Sequence, residues 1–407
     1  MGGLREMDEL NRMKVLHSYH IWLPLTMSWL YNQVRYLPEE VRSEIYCDYR
    51  DSSQGYDLPG IHSLEDLTLI SAKLNFYLRK AGLSRFSPHL RKTLKTSEYD
   101  LLHAHFGNTG WELMPAAKAD QIPLVTTFYG IDVNYLPKQR QVWYRRYLQL
   151  FHYASLILCE GPFMKQNITE LGCPPEKIRV HHLGVELDKL PFKPRKPEGE
   201  TTKILIAGSF REKKGISYAL EALRKLTGKH KLQISIIGDA AKADINKKEP
   251  RRIYELMQSP ELKDHITHLG FQSHEKLIET ALDHHLFLSP SVTAADGDTE
   301  GGAPVVLIEM TATGMPVVST THCDIPNVIR HRENGLLADE RNPEQLASHL
   351  EYLIDHPGQW EAMGRRGREI AEQDFEATRQ GRRLAEIYSA VIKQTRLPED
   401  QRSQLYA

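Results

Sequence analysis

The stretch DGDTEGGAPVVLIEMTATGMPVVST, residues 296–320, reads as a loop, a helix and a strand in succession. Gly301 and Gly302 make a flexible loop, and Pro304 suits the first turn of a helix, where its missing N–H is no loss. Val305 to Thr313 forms that helix, Gly314 ends it, and PVVST is a buried strand. Two glutamates interrupt the apolar pattern, Glu300 in the loop and Glu309 about a turn and a half into the helix. Charges lie this near a core when they are paired or face a site. The N–H groups at the start of such a helix attract phosphate, so a nucleotide is the ligand the two carboxylates would frame.

The same alternation extends outward. Toward the N-terminus, LFLSPS, ITHLGF, LQISIIGD and KILIAGSF are short apolar runs between helical or looped segments. Before them LPFKPRKPEGETT, rich in proline and charge, marks a linker over residues 191–201. Earlier still, MKVLHSYH, YDLLHAHF, PLVTTFYG, SLILCEG and IRVHHLGV repeat the pattern. Apolar strands alternating with helices belong to parallel sheets covered on both faces. The expected fold class is α/β, with two Rossmann-like domains, residues 1–190 and 202–374, facing across a cleft. Ligands of such sheets bind outside the carboxyl ends of the strands. A last helix within residues 375–407 has an apolar face, LAEIYSAVI, and is expected to return to the first domain.

A chain of 407 residues is long for one core, in keeping with two domains. A net charge of -1 with 26% charged residues argues against a nucleic-acid partner. No apolar run reaches the roughly 18 residues of a membrane span. The first residues lack the apolar core of a secretory signal, and Glu6 breaks the myristoylation pattern. Cys47, Cys159, Cys173 and Cys323 have no paired spacing and suit reduced thiols in a cytoplasmic protein. His181-His182 and His284-His285 lack carboxylates at ligand spacing, so no metal is expected of them.

GSFREKKG, residues 208–215, follows the strand KILIA and places Arg211, Lys213 and Lys214 at its carboxyl end. It lacks the Gly-Lys-Ser/Thr ending of a Walker loop, yet cations there suit a diphosphate, with an exposed charged turn as the plainer reading. GSFREKKGISYALEAL, IIGDA, HLGFQSHEKL, LFLSPS and EGGAPVVLIEMTATGMPVVST…NGLLA come in the order that retaining glycosyltransferases of family four show. The second half resembles those enzymes over nearly its whole length. The first half does so more weakly, in LPLTMSWLYNQVRYL, HAHFGNTG and TTFYGIDV, and the likeness is nearest to bacterial enzymes of exopolysaccharide and colanic-acid type.

The resemblance implies a GT-B fold and transfer of a sugar from a nucleotide-diphosphate sugar, a UDP-sugar in preference to a GDP-sugar, with no further cofactor. It implies that Lys214 offsets diphosphate charge, that Glu309 accepts from the ribose hydroxyls, and that Glu300 holds donor-sugar hydroxyls. Backbone N–H groups from Gly302 through Ala303, Val305 and Val306 would hold phosphate and sugar oxygens, and the turn at Phe271 would meet the base. No metal is required; DGD at Asp296 to Asp298 has the form of a metal motif but also that of a solvated turn.

Three departures stand out. Ser209 occupies the position where the family usually has arginine, leaving Arg211 to supply the charge. Eight residues separate Glu300 from Glu309 where seven are usual. Tyr129 replaces the histidine of the first-domain turn Tyr129-Gly130-Ile131-Asp132, and its phenol would reach a sugar hydroxyl. His105, ending the strand YDLLHAHF, is a further candidate, with His103 expected to point elsewhere.

Lys73, Arg79, Lys80, Arg85, Arg91, Lys92 and Lys95 fall within residues 73–95 with no acidic residue among them. Leu74, Tyr77, Leu78, Phe86 and Leu90 are interleaved. Such a segment is either a solvated helical face or a contact for an anionic membrane surface, peripheral on the inner face of the membrane. In the second case the acceptor would be a lipid-linked glycan. Two other classes stay open: a nucleotide-sugar epimerase of the same fold, and a nucleotide-sugar-binding subunit with little catalysis.

Overall fold

The computed structural model describes residues 12–22, 27–51, 58, 60–68, 70, 71, 73, 77, 88–245 and 247–396. The chain divides into two units, one made of Met1–Gly184 with Ala377–Ala407, the other of Val185–Glu376.

In the first unit, β1 (Met13–Ser18), β3 (Val41–Cys47), β5 (Ile61–Ser63), β6 (Leu101–His105), β7 (Leu124–Thr127), β8 (Leu156–Cys159) and β9 (Ile178–Val180) form a parallel sheet. Its order is β5-β3-β1-β6-β7-β8-β9, while β2 (Ile21–Trp22) and β4 (Tyr49–Arg50) pair separately. Successive residues of β6 and β8 serve opposite faces, as strand geometry requires. Leu102 and Ile157 join the cluster packed by α2 (Pro88–Thr96), α3 (Gly107–Ala119), α4 (Val142–Tyr153) and α5 (Pro162–Glu170), where Leu94, Leu113, Leu150 and Met164 lie. Leu101, Leu156 and Leu158 turn the other way, against Leu384, Tyr388, Val391 and Ile392 of the C-terminal helix Ala377–Arg396. Fully burying a side chain of that size stabilises by about 1.5–3 kcal/mol, so this helix is part of the first unit's core. It also packs beside α1 (Ser28–Arg35), where a Cβ on Gly381 would stand 1.9 Å from the Tyr36 carbonyl oxygen.

The second unit holds β10 (Thr201–Ala207), β11 (Lys231–Ile237), β12 (Ile266–Gly270), β13 (Leu286–Ser289), β14 (Val317–Thr320) and β15 (Gly335–Ala338), all parallel, in the order β12-β11-β10-β13-β14-β15. One face carries α6 (Ile216–Arg224), α7 (Lys248–Met257) and, later in the chain, α10 (Pro343–Asp355). The other carries α8 (His274–Leu282), α9 (Val305–Ala312) and α11 (Trp360–Asp374). The order reverses between β10 and β13, which opens a switch point at their carboxyl ends.

The passage between units falls at Gly184–Val185, ahead of the linker expected over residues 191–201. That segment is fastened to the second unit instead. Lys193 N–H donates to the Thr313 carbonyl at 3.0 Å, and the buried Arg195 guanidinium donates to the Ala281 carbonyl at 3.0 Å. Proline and charge do not keep a segment solvated when backbone acceptors receive its donors.

Candidate active site

The basic turn after β10 is set by one glycine. Gly215 has φ of 65°, and a Cβ there would come within 1.8 Å of the Pro290 carbonyl oxygen, so only glycine fits. The turn is thereby seated on the segment that follows β13, and cations and carboxylates meet across the switch point. Lys214 Nζ lies 2.9 Å from the Glu300 carboxylate, whose other oxygen accepts from Ser291 Oγ at 3.0 Å. Burial pushes the Glu300 carboxyl up, but Lys214 and Lys213 outweigh that and bring it down to about 2.

Asp298 takes the other two cations. Arg211 reaches one of its oxygens at 2.5 Å and Lys213 the other at 3.3 Å, while Lys213 also donates to the Thr299 carbonyl at 2.8 Å. Asp296 accepts the Asp298 N–H at 3.0 Å, closing a tight turn. The DGD sequence is therefore a turn whose Asp296 is exposed while Asp298 is buried against the basic loop. Ser209 and the two glycines lie close by in sequence, with Gly301 at φ of 82° in the loop that leads to α9.

Helix α9 starts at Val305 after Pro304, which offers no side-chain cap. The first N–H groups of a helix have no acceptor within it, so the backbone of Ala303, Val305 and Val306, with Gly302 just before, presents donors at this end. Glu309 is buried on α9 and accepts from His274 Nε2 at 2.9 Å. That hydrogen bond, against the effect of burial, raises His274 above the ordinary imidazole range. Phe271 is exposed on the turn between β12 and α8, where Gly270 has φ of 66°.

Three residues missed in the sequence complete the second unit's site. His274 partners Glu309; His322 Nε2 accepts the backbone N–H of Glu300 at 3.1 Å; and Glu340 accepts from His322 Nδ1 at 2.6 Å. The readable signal was position, since His322 and Glu340 directly follow β14 and β15 at the carboxyl edge.

In the first unit, β1 and β6 meet in register at His17 and His103. His105 Nδ1 lies 2.7 Å from the Tyr129 hydroxyl, which donates to Gln33 Oε1 at 3.1 Å. His17 Nδ1 lies 3.1 Å from His105 Nε2, and Ser43 Oγ 3.4 Å from His17 Nε2. With the phenol donating to Gln33, the hydrogens run one way, from Ser43 through His17, His105 and Tyr129. His105 and Tyr129 were expected to face substrate, but both are buried and their polar atoms are committed to this chain. His103 does not point elsewhere: residues two apart on a strand share a face, and its ring lies 4.3 Å from that of His105. His103 is held by Tyr388 at 2.6 Å and Thr127 at 2.7 Å. Ligand atoms of His17, His103 and His105 lie within 4.8 Å of one another, yet metal ligation would require these hydrogen bonds to break. Asp132 accepts the N–H groups of Gly107, Tyr129 and Gly130 at 2.7, 3.0 and 3.0 Å and so shapes the turn.

Of the basic segment, Arg91, Lys92 and Lys95 are exposed on α2 while Leu90 and Leu94 are buried beneath them. Leu74, Leu78, Arg79, Lys80, Arg85 and Phe86 lie outside the described residues. Among the described residues no helix is long and apolar enough to cross a membrane.

Residues 188–370 match the family model for glycosyl transferases group 1, and residues 27–189 match glycosyltransferase family 4. The chain is 33% identical to the colanic acid biosynthesis glycosyltransferase WcaL of Salmonella typhimurium, covering 72% of this chain and 71% of that protein. It is 32% identical to the amylovoran biosynthesis glycosyltransferase AmsK of Erwinia amylovora, over 71% and 69% of the two chains. The crystal structure of Anabaena HepE in complex with UDP superposes with a TM-score of 0.75 at 17% identity, covering 93% of this chain and 100% of that one. At such identity the likeness is one of fold, and that fold is GT-B.

Proposed function

The chain belongs to the group 1 glycosyl transferases, and from that premise we propose that it is a retaining enzyme moving a sugar from a nucleotide-diphosphate sugar to a glycan or lipid-linked acceptor in exopolysaccharide biosynthesis. WcaL and AmsK are named for exopolysaccharides, and HepE has been seen with UDP and with UDP-glucose, which supports a UDP-sugar donor. The observation that carries the reading is the pair of Lys214, on the turn after β10, and Glu300, in the loop before the open N-terminus of α9.

On this reading the second unit binds the donor and the first selects the acceptor. The diphosphate takes Lys214 and Arg211, with the N–H groups from Gly302 to Val306 as further donors. These groups meet charge that grows on the leaving diphosphate, so they favour the transition state over the bound donor. Glu300 stays on Ser291 and accepts from donor-sugar hydroxyls; Glu309 accepts from the ribose, and Phe271 covers the base. No metal or other cofactor is invoked, because fixed cations and backbone donors already supply positive charge. His105 and Tyr129 act from within the first unit, as a buried support for its strand ends. The enzyme works in the cytoplasm, with the basic face of α2 against the inner leaflet.

The test is transfer from UDP-glucose and other UDP-sugars by chelator-treated enzyme, with the anomeric configuration of the product read by NMR. Near-full activity and retained configuration are expected. Inversion, or loss of activity restored only by Mg²⁺ or Mn²⁺, contradicts the proposal.

A further inference from the structure

We propose that His322 is the positioning residue for the Glu300 loop, fixed in one tautomer by Glu340. The inference rests on the reading of Glu300 as a donor-sugar contact and goes beyond it. The loop from β13 to α9 carries Gly301, at φ of 82°, directly after Glu300, and that glycine adds conformational freedom within it. A carboxylate on such a loop needs its main chain held as well as its side chain. Lys214 and Ser291 hold the side chain. His322 holds the main chain.

The chemistry permits one proton arrangement. A backbone N–H can only donate, so His322 Nε2, 3.1 Å from the Glu300 nitrogen, must be the bare acceptor. The ring hydrogen is then on Nδ1, directed at Glu340 Oε1, 2.6 Å away. Glu340 is fixed in turn, since its Oε2 accepts the Thr293 N–H at 2.7 Å. The imidazole is 1% exposed, so its nitrogens are shielded from water, while the Glu340 side chain is partly exposed. The line from Thr293 through Glu340 and His322 to Glu300 thus ties together the loops after β13, β14 and β15. The Cys323 thiol also lies 3.1 Å from Nε2, a weaker donor sharing the same lone pair. The arrangement matches the shells that orient catalytic groups elsewhere: a carboxylate sets an imidazole, which sets the reacting loop.

The test compares His322→Ala with His322→Gln in the full chain, because glutamine keeps an acceptor for the Glu300 N–H and a donor for Glu340. Hydrogen exchange at the Glu300 amide should quicken in His322→Ala and stay close to the parent rate in His322→Gln. With UDP-glucose as the probe donor, His322→Ala should lower kcat by about 10–100-fold, the scale of a small misplacement of a reacting group, with KM little changed. His322→Gln should recover most of that loss, and calorimetry should show UDP binding unchanged in both. In a Glu300→Gln background, His322→Ala should add nothing, since it acts through Glu300. Unchanged exchange at Glu300, an equal further loss in the Glu300→Gln background, or UDP binding lost along with turnover would each overturn the proposal. A parent that neither binds UDP nor turns over UDP-glucose would instead sink the donor reading, and the exchange rates would still decide for or against the His322 hold.

Discussion

Lys214 Nζ stands 2.9 Å from the buried carboxylate of Glu300, so the cation assigned to a diphosphate is paired in this structure with the carboxylate assigned to a sugar. An incoming diphosphate therefore competes with Glu300 for Lys214, and Ser291 keeps the carboxylate in place as the lysine shifts. Lys214→Met should weaken UDP binding by about 1.5–3 kcal/mol, the worth of a charge-assisted hydrogen bond. It should also move Glu300 upward from about 2, because burial would then be opposed mainly by Lys213. The pair stabilises the fold above the ordinary carboxylate range and loses that contribution as pH falls through about 2; in the variant the loss comes at higher pH. Calorimetry with UDP and a carbon-13 titration of the glutamate carboxyls check both parts. An unmoved Glu300 would show that Lys214 does not set its charge.

Glu309 should matter for the bare nucleotide as well as the sugar donor. Glu309→Ala is expected to weaken UDP itself by about 1.5–3 kcal/mol. It should also bring His274 down toward its ordinary range, since the Glu309 hydrogen bond is the largest cause of its rise. Full UDP affinity in the variant would remove Glu309 from the ribose.

The first unit should be the acid-sensitive one. Burial pushes His17 down to about 3 and His181 down to about 4, and it holds His103 and His105 well below the ordinary imidazole range. Imidazoles kept neutral in this way contribute stability above about 6.5, and that contribution is lost as pH falls through their folded values. His181 alone, at about 4 against 6.5, accounts for about 3 kcal/mol. Asp132 works in the other direction: burial raises it to about 6, so its contribution is lost as pH rises through that value. Four imidazoles outweigh one carboxyl, so lowering the pH from about 7 to about 5 should reduce hydrogen-exchange protection, taken relative to each amide's intrinsic rate at that pH, in the first unit more than in the second. Equal change in both units would contradict this.

Arg91, Lys92 and Lys95 present a basic face on α2 above buried Leu90 and Leu94. Replacing the three with glutamine should weaken sedimentation with anionic vesicles, by about 1 kcal/mol for each basic residue at the surface, and most at low salt. Parent-like sedimentation would reject the membrane contact.

What could be read in the sequence was whatever burial alone dictates. β10, β11, β13 and β14 are apolar runs covered on both faces, and their composition announces them. β3, VRSEIYC, does not look like a buried strand, because its Glu44 is buried against Tyr99, His62 and Lys14, which lie far off in sequence, as well as against its neighbour Arg42. β15, Gly335–Ala338, begins on glycine and ends on alanine, both poor strand formers, so its signal is weak. Glu300 was singled out as a charge in the loop before a helix and Lys214 as a cation at a strand end, but their pairing joins segments 86 residues apart. His274 and His322 take their meaning from partners that only the fold supplies. His105 was found by its place at a strand end and Tyr129 through the family resemblance, and which way such a side chain turns is settled by packing. Here it turned them inward.

The account's central claim is that Glu300 touches the transferred sugar and not the nucleotide. The direct measurement is Glu300→Gln, assayed by calorimetry with UDP and by turnover with the sugar donor. UDP affinity should fall by no more than about twofold, and rise where freeing Lys214 aids the diphosphate, while transfer falls by about 100-fold or more, the pattern of a contact made mainly in the transition state. If Glu300→Gln transfers sugar as fast as the parent, Glu300 is only the counter-ion that Lys214 holds in this structure, and the site has been misassigned.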